Sequence, residues 1–93
     1  MITSRNILQH EIIGLDAEIT ESRDVALVGL SGRILDETQR TVSILHESRR
    51  IVVPKNVAVF QLVLPNGEIV QVHGEMLLGR PEDRVKSRME RYR

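Results

Sequence analysis

Apolar and polar residues alternate along most of the chain, in short runs separated by turn-forming residues. A period of two places one set of side chains on a buried face and the other set in solvent, as in antiparallel sheets. Pro65-Asn66-Gly67 predicts a hairpin turn, and Thr38-Gln39-Arg40 and His46-Glu47-Ser48-Arg49 predict two more turns. The pattern therefore predicts about six short strands between residues 15 and 79, with the apolar run Val25 to Leu30 among them.

The two ends of the chain carry helical patterns instead. Thr3 to Ile13 has apolar residues at helical spacing, and Pro81-Glu82-Asp83 is typical of a helix start. A flat six-stranded sheet would leave its edges and one apolar face uncovered, so closure into a small barrel is expected. We predict one mainly β domain, an antiparallel β-barrel with a short helix at each end: residues 1–14, barrel 15–79, and a basic helix 80–93.

Composition narrows the class of protein. Ile, Val and Leu supply 30 of the 93 residues, and the chain has no cysteine. A disulfide scaffold, a thiolate metal site and a cysteine nucleophile are therefore excluded. No apolar run approaches the roughly 20 residues of a membrane span, and no segment resembles a signal peptide. We expect a soluble, cytoplasmic protein with no membrane partner.

Charge is balanced overall but not locally. Residues 80–93 hold six basic and three acidic residues, whereas residues 1–79 hold seven basic and ten acidic ones. A basic end suits a polyanion, although a charge run is often only a solvated face. Phe60 and Tyr92 are the only aromatic residues, so bases have no stacking platform and contacts would go to phosphates and RNA shape. Outside the C-terminal cluster, the candidate phosphate-binding residues are Arg33, Arg40, Arg49, Arg50 and Lys55.

The N-terminal pattern has two interpretations. Ile7, Leu8, Ile12 and Ile13 form an apolar stripe. Such a stripe usually faces the core, but at a terminus it could instead dock a partner protein.

The sequence contains no catalytic or metal-binding constellation. His10, His46 and His73 are far apart in the sequence, and no nucleophile or nucleotide-binding motif is present. Asp36 and Glu37 could bind Mg²⁺, but adjacent strand residues point to opposite faces. We predict no catalytic residue, metal or cofactor in this chain.

Several motifs, in this order, resemble one family, the archaeal ribonuclease P protein component 1. They span roughly residues 8 to 88 and are the ordered segments His10-Glu11-Ile12-Ile13-Gly14-Leu15, Gly29-Leu30-Ser31-Gly32, Asp36-Glu37-Thr38-Gln39-Arg40-Thr41, Val53-Pro54-Lys55, Val72-His73-Gly74 and Arg80-Pro81-Glu82-Asp83-Arg84-Val85-Lys86. Arg40 departs from the pattern, since asparagine is common there.

The resemblance implies an Sm-like (SH3-like) barrel with terminal helices in a ribonucleoprotein that removes the 5′ leader of precursor tRNA. In that family the RNA subunit carries catalysis with Mg²⁺. The protein pairs with a zinc-ribbon subunit, protein component 4, beside other ribonuclease P proteins, and the pair acts on the specificity domain of the RNA.

On this interpretation Ile7, Leu8 and Ile12 would contact the zinc-ribbon subunit. Phosphates would be neutralised by a basic set: Arg33, Arg40, Lys55, Arg80, Arg84, Lys86, Arg88 and Arg91. Two alternatives stay open: an Sm-like or SH3-like module that binds protein only, and an independent small nuclease.

Overall fold

The computed structural model describes residues 3–4 and 6–79, and these residues form one antiparallel sheet. Its six strands are β1 (Asp16–Ser22), β2 (Ser31–Glu37), β3 (Thr41–His46), β4 (Arg49–Pro54), β5 (Ala58–Val63) and β6 (Ile69–His73). Four short 3₁₀ helices accompany them: Ile7–Gln9, Val25–Leu27, Lys55–Val57 and Gly74–Leu77. The described residues contain no α-helix, and none of their helices is long and apolar enough to cross a membrane.

The strand order is β4-β3-β2-β1-β5-β6. Tight turns set the register of neighbouring strands. In the β3–β4 hairpin, His46 pairs with Arg49, and the two residues between them, Glu47 and Ser48, have φ angles of 49° and 67°. Two positive φ angles are typical of the turn whose twist matches that of the flanking strands. The predicted strand number and turns are confirmed.

The core forms where alternating strand residues meet. Ile19, Ile34, Ile44, Phe60 and Leu62 have almost no exposed surface, whereas their sequence neighbours are more exposed in most cases. The two ends of the sheet order, β4 and β6, are not hydrogen-bonded to each other in the described part of the chain. The structure thus establishes a six-stranded antiparallel sheet, and its closure into a barrel stays a prediction.

The predicted N-terminal helix is wrong in extent. Only Ile7–Gln9 is helical in the described N-terminal residues, as a single 3₁₀ turn. Ile7, Leu8 and Ile12 are 1%, 0% and 0% exposed and belong to the hydrophobic core. Of the four residues in the stripe, Ile13 alone is substantially exposed. The stripe covers this protein's own core, so its prediction as a partner-docking surface is wrong.

The apolar run at residues 25–30 is also not a strand. Val25–Leu27 forms a 3₁₀ helix whose first turn is capped by the Asp24 carboxylate, which accepts a hydrogen bond from the Ala26 amide. Val25 is 83% exposed. Local capping by Asp24 competes with strand pairing here. The predicted C-terminal helix 80–93 lies outside the described residues.

Candidate nucleic-acid interface

The β2–β3 turn carries Arg40 and is held by its own hydrogen bonds. The Thr38 hydroxyl lies 2.7 Å from the Thr41 hydroxyl and accepts hydrogen bonds from the backbone amides of Arg40 and Thr41. The Thr38 amide also donates to the Thr41 carbonyl at 2.9 Å. Threonine suits tight turns because its side-chain hydroxyl can accept hydrogen bonds from nearby backbone amides. The Arg40 side chain is exposed at the tip of this turn.

Lys55 lies directly after β4 and is fully buried. Its ammonium donates hydrogen bonds of 2.7 Å to Glu37 Oε2, to the Thr38 carbonyl and to the Leu77 carbonyl. The carbonyls of Gln39 and Gly79 lie farther off, each at 3.4 Å. A lysine ammonium has three donors, so the three short bonds use all of them.

The ion pair between Lys55 and Glu37 is shielded from solvent. The Glu37 side chain is 4% exposed and that of Lys55 is 0% exposed. Burial lowers the pKa of Lys55 from 10.5 to about 8, because desolvation disfavours the charged form. The ammonium is still largely protonated at neutral pH, where it neutralises the Glu37 carboxylate.

Lys55 joins three segments of the chain at one point. Its side chain binds the β2–β3 turn and the segment that follows β6, and its own backbone amide donates to the Arg40 carbonyl at 2.8 Å. The Gly79 amide donates to the Gln39 carbonyl, also at 2.8 Å. Gly79 therefore lies against the turn that carries Arg40, and from Gly79 the sequence continues into the basic residues 80–93. We call this arrangement the Lys55 junction.

A cleft opens at the Lys55 junction. Its volume is about 540 Å³, and its walls are Gln39, Arg40, Thr41, Pro54, Asn56, Leu78 and Gly79. These seven residues include a cation and two amide side chains but no carboxylate. We call it the Arg40 cleft.

The prediction that Lys55 contacts RNA phosphates is contradicted by its burial. Its three donors are bound inside the protein, so the ammonium cannot reach a phosphate at the surface. The residue contributes by fixing Arg40 and Gly79 in place. Sequence reasoning missed Glu37 as its partner, having considered Asp36 and Glu37 only as a weak Mg²⁺ pair.

The two neighbouring carboxylates point in different directions, as expected for adjacent strand residues. Glu37 binds Lys55, whereas Asp36 Oδ2 lies 3.4 Å from the Arg50 guanidinium at the surface. Among the described residues, no group of three or more histidines and carboxylates is placed to hold a metal ion.

Apart from Arg40, none of the predicted phosphate-binding residues in the described part of the chain lines the Arg40 cleft. Arg33 is exposed near the start of β2, where its cross-strand neighbours are Asp16 and Leu45. Arg40 lies beyond the other end of β2, so the structure does not bring these two arginines together. Five candidates lie outside the described residues: Arg80, Arg84, Lys86, Arg88 and Arg91.

Comparison with known proteins gives consistent matches along almost the whole chain. The family model for "Ribonuclease P/MRP, subunit p29" matches residues 5–87. Ribonuclease P protein component 1 of Methanococcus aeolicus is 50% identical over 92 residues, covering 97% of this chain and 95% of that protein. The protein of the same name from Staphylothermus marinus is 51% identical over 86 residues, covering 91% and 94%.

A solved structure is also similar. It is described as "Structure of Mth11: A homologue of human RNase P protein Rpp29" and matches with a TM-score of 0.60 at 44% sequence identity. The match covers 82% of this chain and 99% of that one.

Proposed function

Because the chain belongs to the ribonuclease P/MRP subunit p29 family, we propose that it is an RNA-binding subunit of ribonuclease P. In this role it supports the catalytic RNA in removing the 5′ leader of precursor tRNA. The proposal includes a division of labour in which the RNA, with its Mg²⁺ ions, breaks the phosphodiester bond. This chain contributes no catalytic residue.

The Lys55 junction is the observation that supports this function best. It holds the turn with the exposed Arg40 against Gly79, after which the sequence continues into the basic residues 80–93. Phosphate contacts made from rigid positions fix the register of a protein on RNA without reading its sequence. Arginine suits such contacts because its fork spans two phosphate oxygens.

The proposed mechanism is electrostatic positioning. Arg40 and the basic C-terminal residues neutralise RNA phosphates that lie close together in the compact RNA, and the compact form is thereby stabilised. Less Mg²⁺ is then needed for the same RNA structure. Each contact releases counterions, so the affinity should fall with log[salt] at a slope of about −0.7 to −0.9 per contact.

The proposed partners are the RNA specificity domain, protein component 4, other ribonuclease P proteins and precursor tRNA. The zinc-ribbon component 4 would have to bind a surface other than Ile7, Leu8 and Ile12, because those residues lie in the core. Replacing the exposed Ile13 by glutamate tests the remaining part of the stripe, with capture of component 4 as the measurement.

Reconstitution tests the function directly. The RNA subunit is assayed for leader removal at low Mg²⁺ with and without this protein and component 4. We expect cleavage at a Mg²⁺ concentration where the RNA alone is inactive. A loss of this effect in a variant with Arg88 and Arg91 both changed to glutamine would support the phosphate contacts, whereas unchanged RNA affinity and salt slope would contradict them.

A protein-interaction module without RNA binding is the second candidate. Exposed apolar side chains favour it, since Val25 is 83% exposed and Ile69 is 62% exposed. Filter binding of the ribonuclease P RNA at two salt concentrations separates the two functions. An RNA affinity that is absent at low salt, with component 4 present, would favour the protein-only module.

A further inference from the structure

We propose that the Arg40 cleft holds one unpaired nucleotide of the ribonuclease P RNA. The inference rests on the proposed function and names the ligand of one site within it. The cleft volume, about 540 Å³, lies within the range of roughly 300–1,000 Å³ that is typical of small-molecule sites.

The chemistry of the lining matches the three parts of a nucleotide. Pro54 and Leu78 are exposed apolar side chains on the cleft wall and can contact the faces of a base. The amides of Gln39 and Asn56 each carry both a donor and an acceptor, which is what the Watson–Crick edge of a base requires. The Arg40 guanidinium can bind the phosphate of the same nucleotide.

The polar groups of the cleft are available for a ligand. Within the described part of the chain, the side chains of Gln39, Arg40 and Asn56 have no hydrogen-bond or ion-pair partner, and all three are exposed. Their backbones are nevertheless held in place. The Gln39 and Arg40 carbonyls accept bonds from the amides of Gly79 and Lys55, and the Asn56 carbonyl accepts one from the Arg23 guanidinium. Groups that are positioned in advance lose less conformational entropy when a ligand binds.

Charge distinguishes this cleft from others on the surface. A second cleft includes Glu21 and Glu75, and a third includes Asp16 and Glu18. Carboxylates would repel a phosphate, whereas the described residues that line the Arg40 cleft include none. RNA also suits the site because proteins recognise RNA sequence mainly at unpaired, unstacked bases.

Chemical probing of the RNA in the reconstituted complex tests the proposal. Dimethyl sulfate and a carbodiimide together report the Watson–Crick edges of all four unpaired bases. We expect one unpaired nucleotide to be protected by the wild-type protein and exposed again with the Gln39→Ala, Asn56→Ala double variant. The RNA affinity should fall about tenfold with an unchanged salt slope, because two neutral hydrogen-bonding groups are lost.

Gln71→Ala is the matched control, since it removes an exposed amide of β6 outside the cleft. Protection that persists in the double variant would overturn the cleft proposal, while salt-dependent RNA binding would leave the proposed function standing. The cleft proposal is equally overturned if the double variant loses component 4 and keeps all RNA protections. A wild-type protein with no RNA binding at low salt would overturn both.

Discussion

The Lys55 ammonium lies 2.7 Å from the Glu37 carboxylate, and the two side chains are 0% and 4% exposed. Burying two charges costs several kcal/mol per ion, and good geometry with further hydrogen bonds is needed to offset that cost. Here the Thr38 and Leu77 carbonyls complete the set of acceptors around the ammonium. The pair therefore holds the β2–β3 turn and the segment after β6 in one arrangement.

Replacing only one member of the Lys55–Glu37 ion pair should lower the stability of the fold. Lys55→Met leaves the Glu37 carboxylate buried without its ammonium, and we expect the free energy of unfolding to fall by about 3–5 kcal/mol. The Lys55→Met, Glu37→Gln double variant should lose less than the sum of its two single variants, because no uncompensated charge remains. Urea unfolding of the four proteins measures this, and simple additivity would contradict the coupling.

The lowered pKa of Lys55 predicts a specific pH dependence. The folded protein releases the Lys55 proton at about pH 8, whereas the unfolded chain keeps it to about 10.5. Between these values the unfolded state binds more protons, so the free energy of unfolding should rise with pH from this source. Urea midpoints across this range should rise in the wild type relative to the Lys55→Met, Glu37→Gln variant. Parallel curves for the two proteins would contradict the pKa shift.

Gly74 lies where the 3₁₀ helix after β6 passes over the Lys55 backbone. A Cβ added to Gly74 would overlap the Lys55 carbonyl oxygen and would lie 2.7 Å from that of Ala58. Backbone atoms cannot move aside as a flexible side chain can, so Gly74→Ala should cost at least about 3 kcal/mol. Gly67→Ala is the control: its φ is +88° but its Cβ would meet no atom within 4 Å, so a loss of about 1 kcal/mol is expected. Equal midpoints for the two variants in urea would contradict the close packing.

Strand number and hairpins were predictable from sequence because they depend on neighbouring residues. The alternation through Asp16 to Ile19 and the turn at Glu47-Ser48 are local signals. The burial of Lys55 was not predictable, since its closest acceptors lie 17, 18 and 22 residues away along the chain. A lysine after a proline is normally a surface residue, and only the converging acceptors make this one different.

The surface on which the N-terminal stripe packs was also not predictable from the sequence. Its period identifies apolar residues but not the surface that covers them, which here is the protein's own sheet. We expect Leu8→Ala to lower the free energy of unfolding by about 2–5 kcal/mol, because Leu8 is fully buried. Ile13→Ala is the matched control and should cost less than about 1 kcal/mol, as Ile13 is 42% exposed. A small effect of Leu8→Ala in urea unfolding would contradict the packing of Leu8 in the core.

Arg40 is the described residue whose proposed contribution to RNA binding is most directly measurable. Arg40→Gln should remove one proposed phosphate contact without touching the Lys55 junction, because the Arg40 backbone makes the hydrogen bonds and its side chain is exposed. We expect the slope of log affinity against log[salt] to become shallower by about 0.7–0.9. Arg40→Lys keeps the charge and should restore that slope, with some affinity lost because the two-pronged contact is gone. Filter binding of the ribonuclease P RNA at several salt concentrations gives both quantities. A slope that is the same in all three proteins would place Arg40 outside the RNA contact, and a changed urea midpoint in Arg40→Gln would show that the side chain acts through the fold instead.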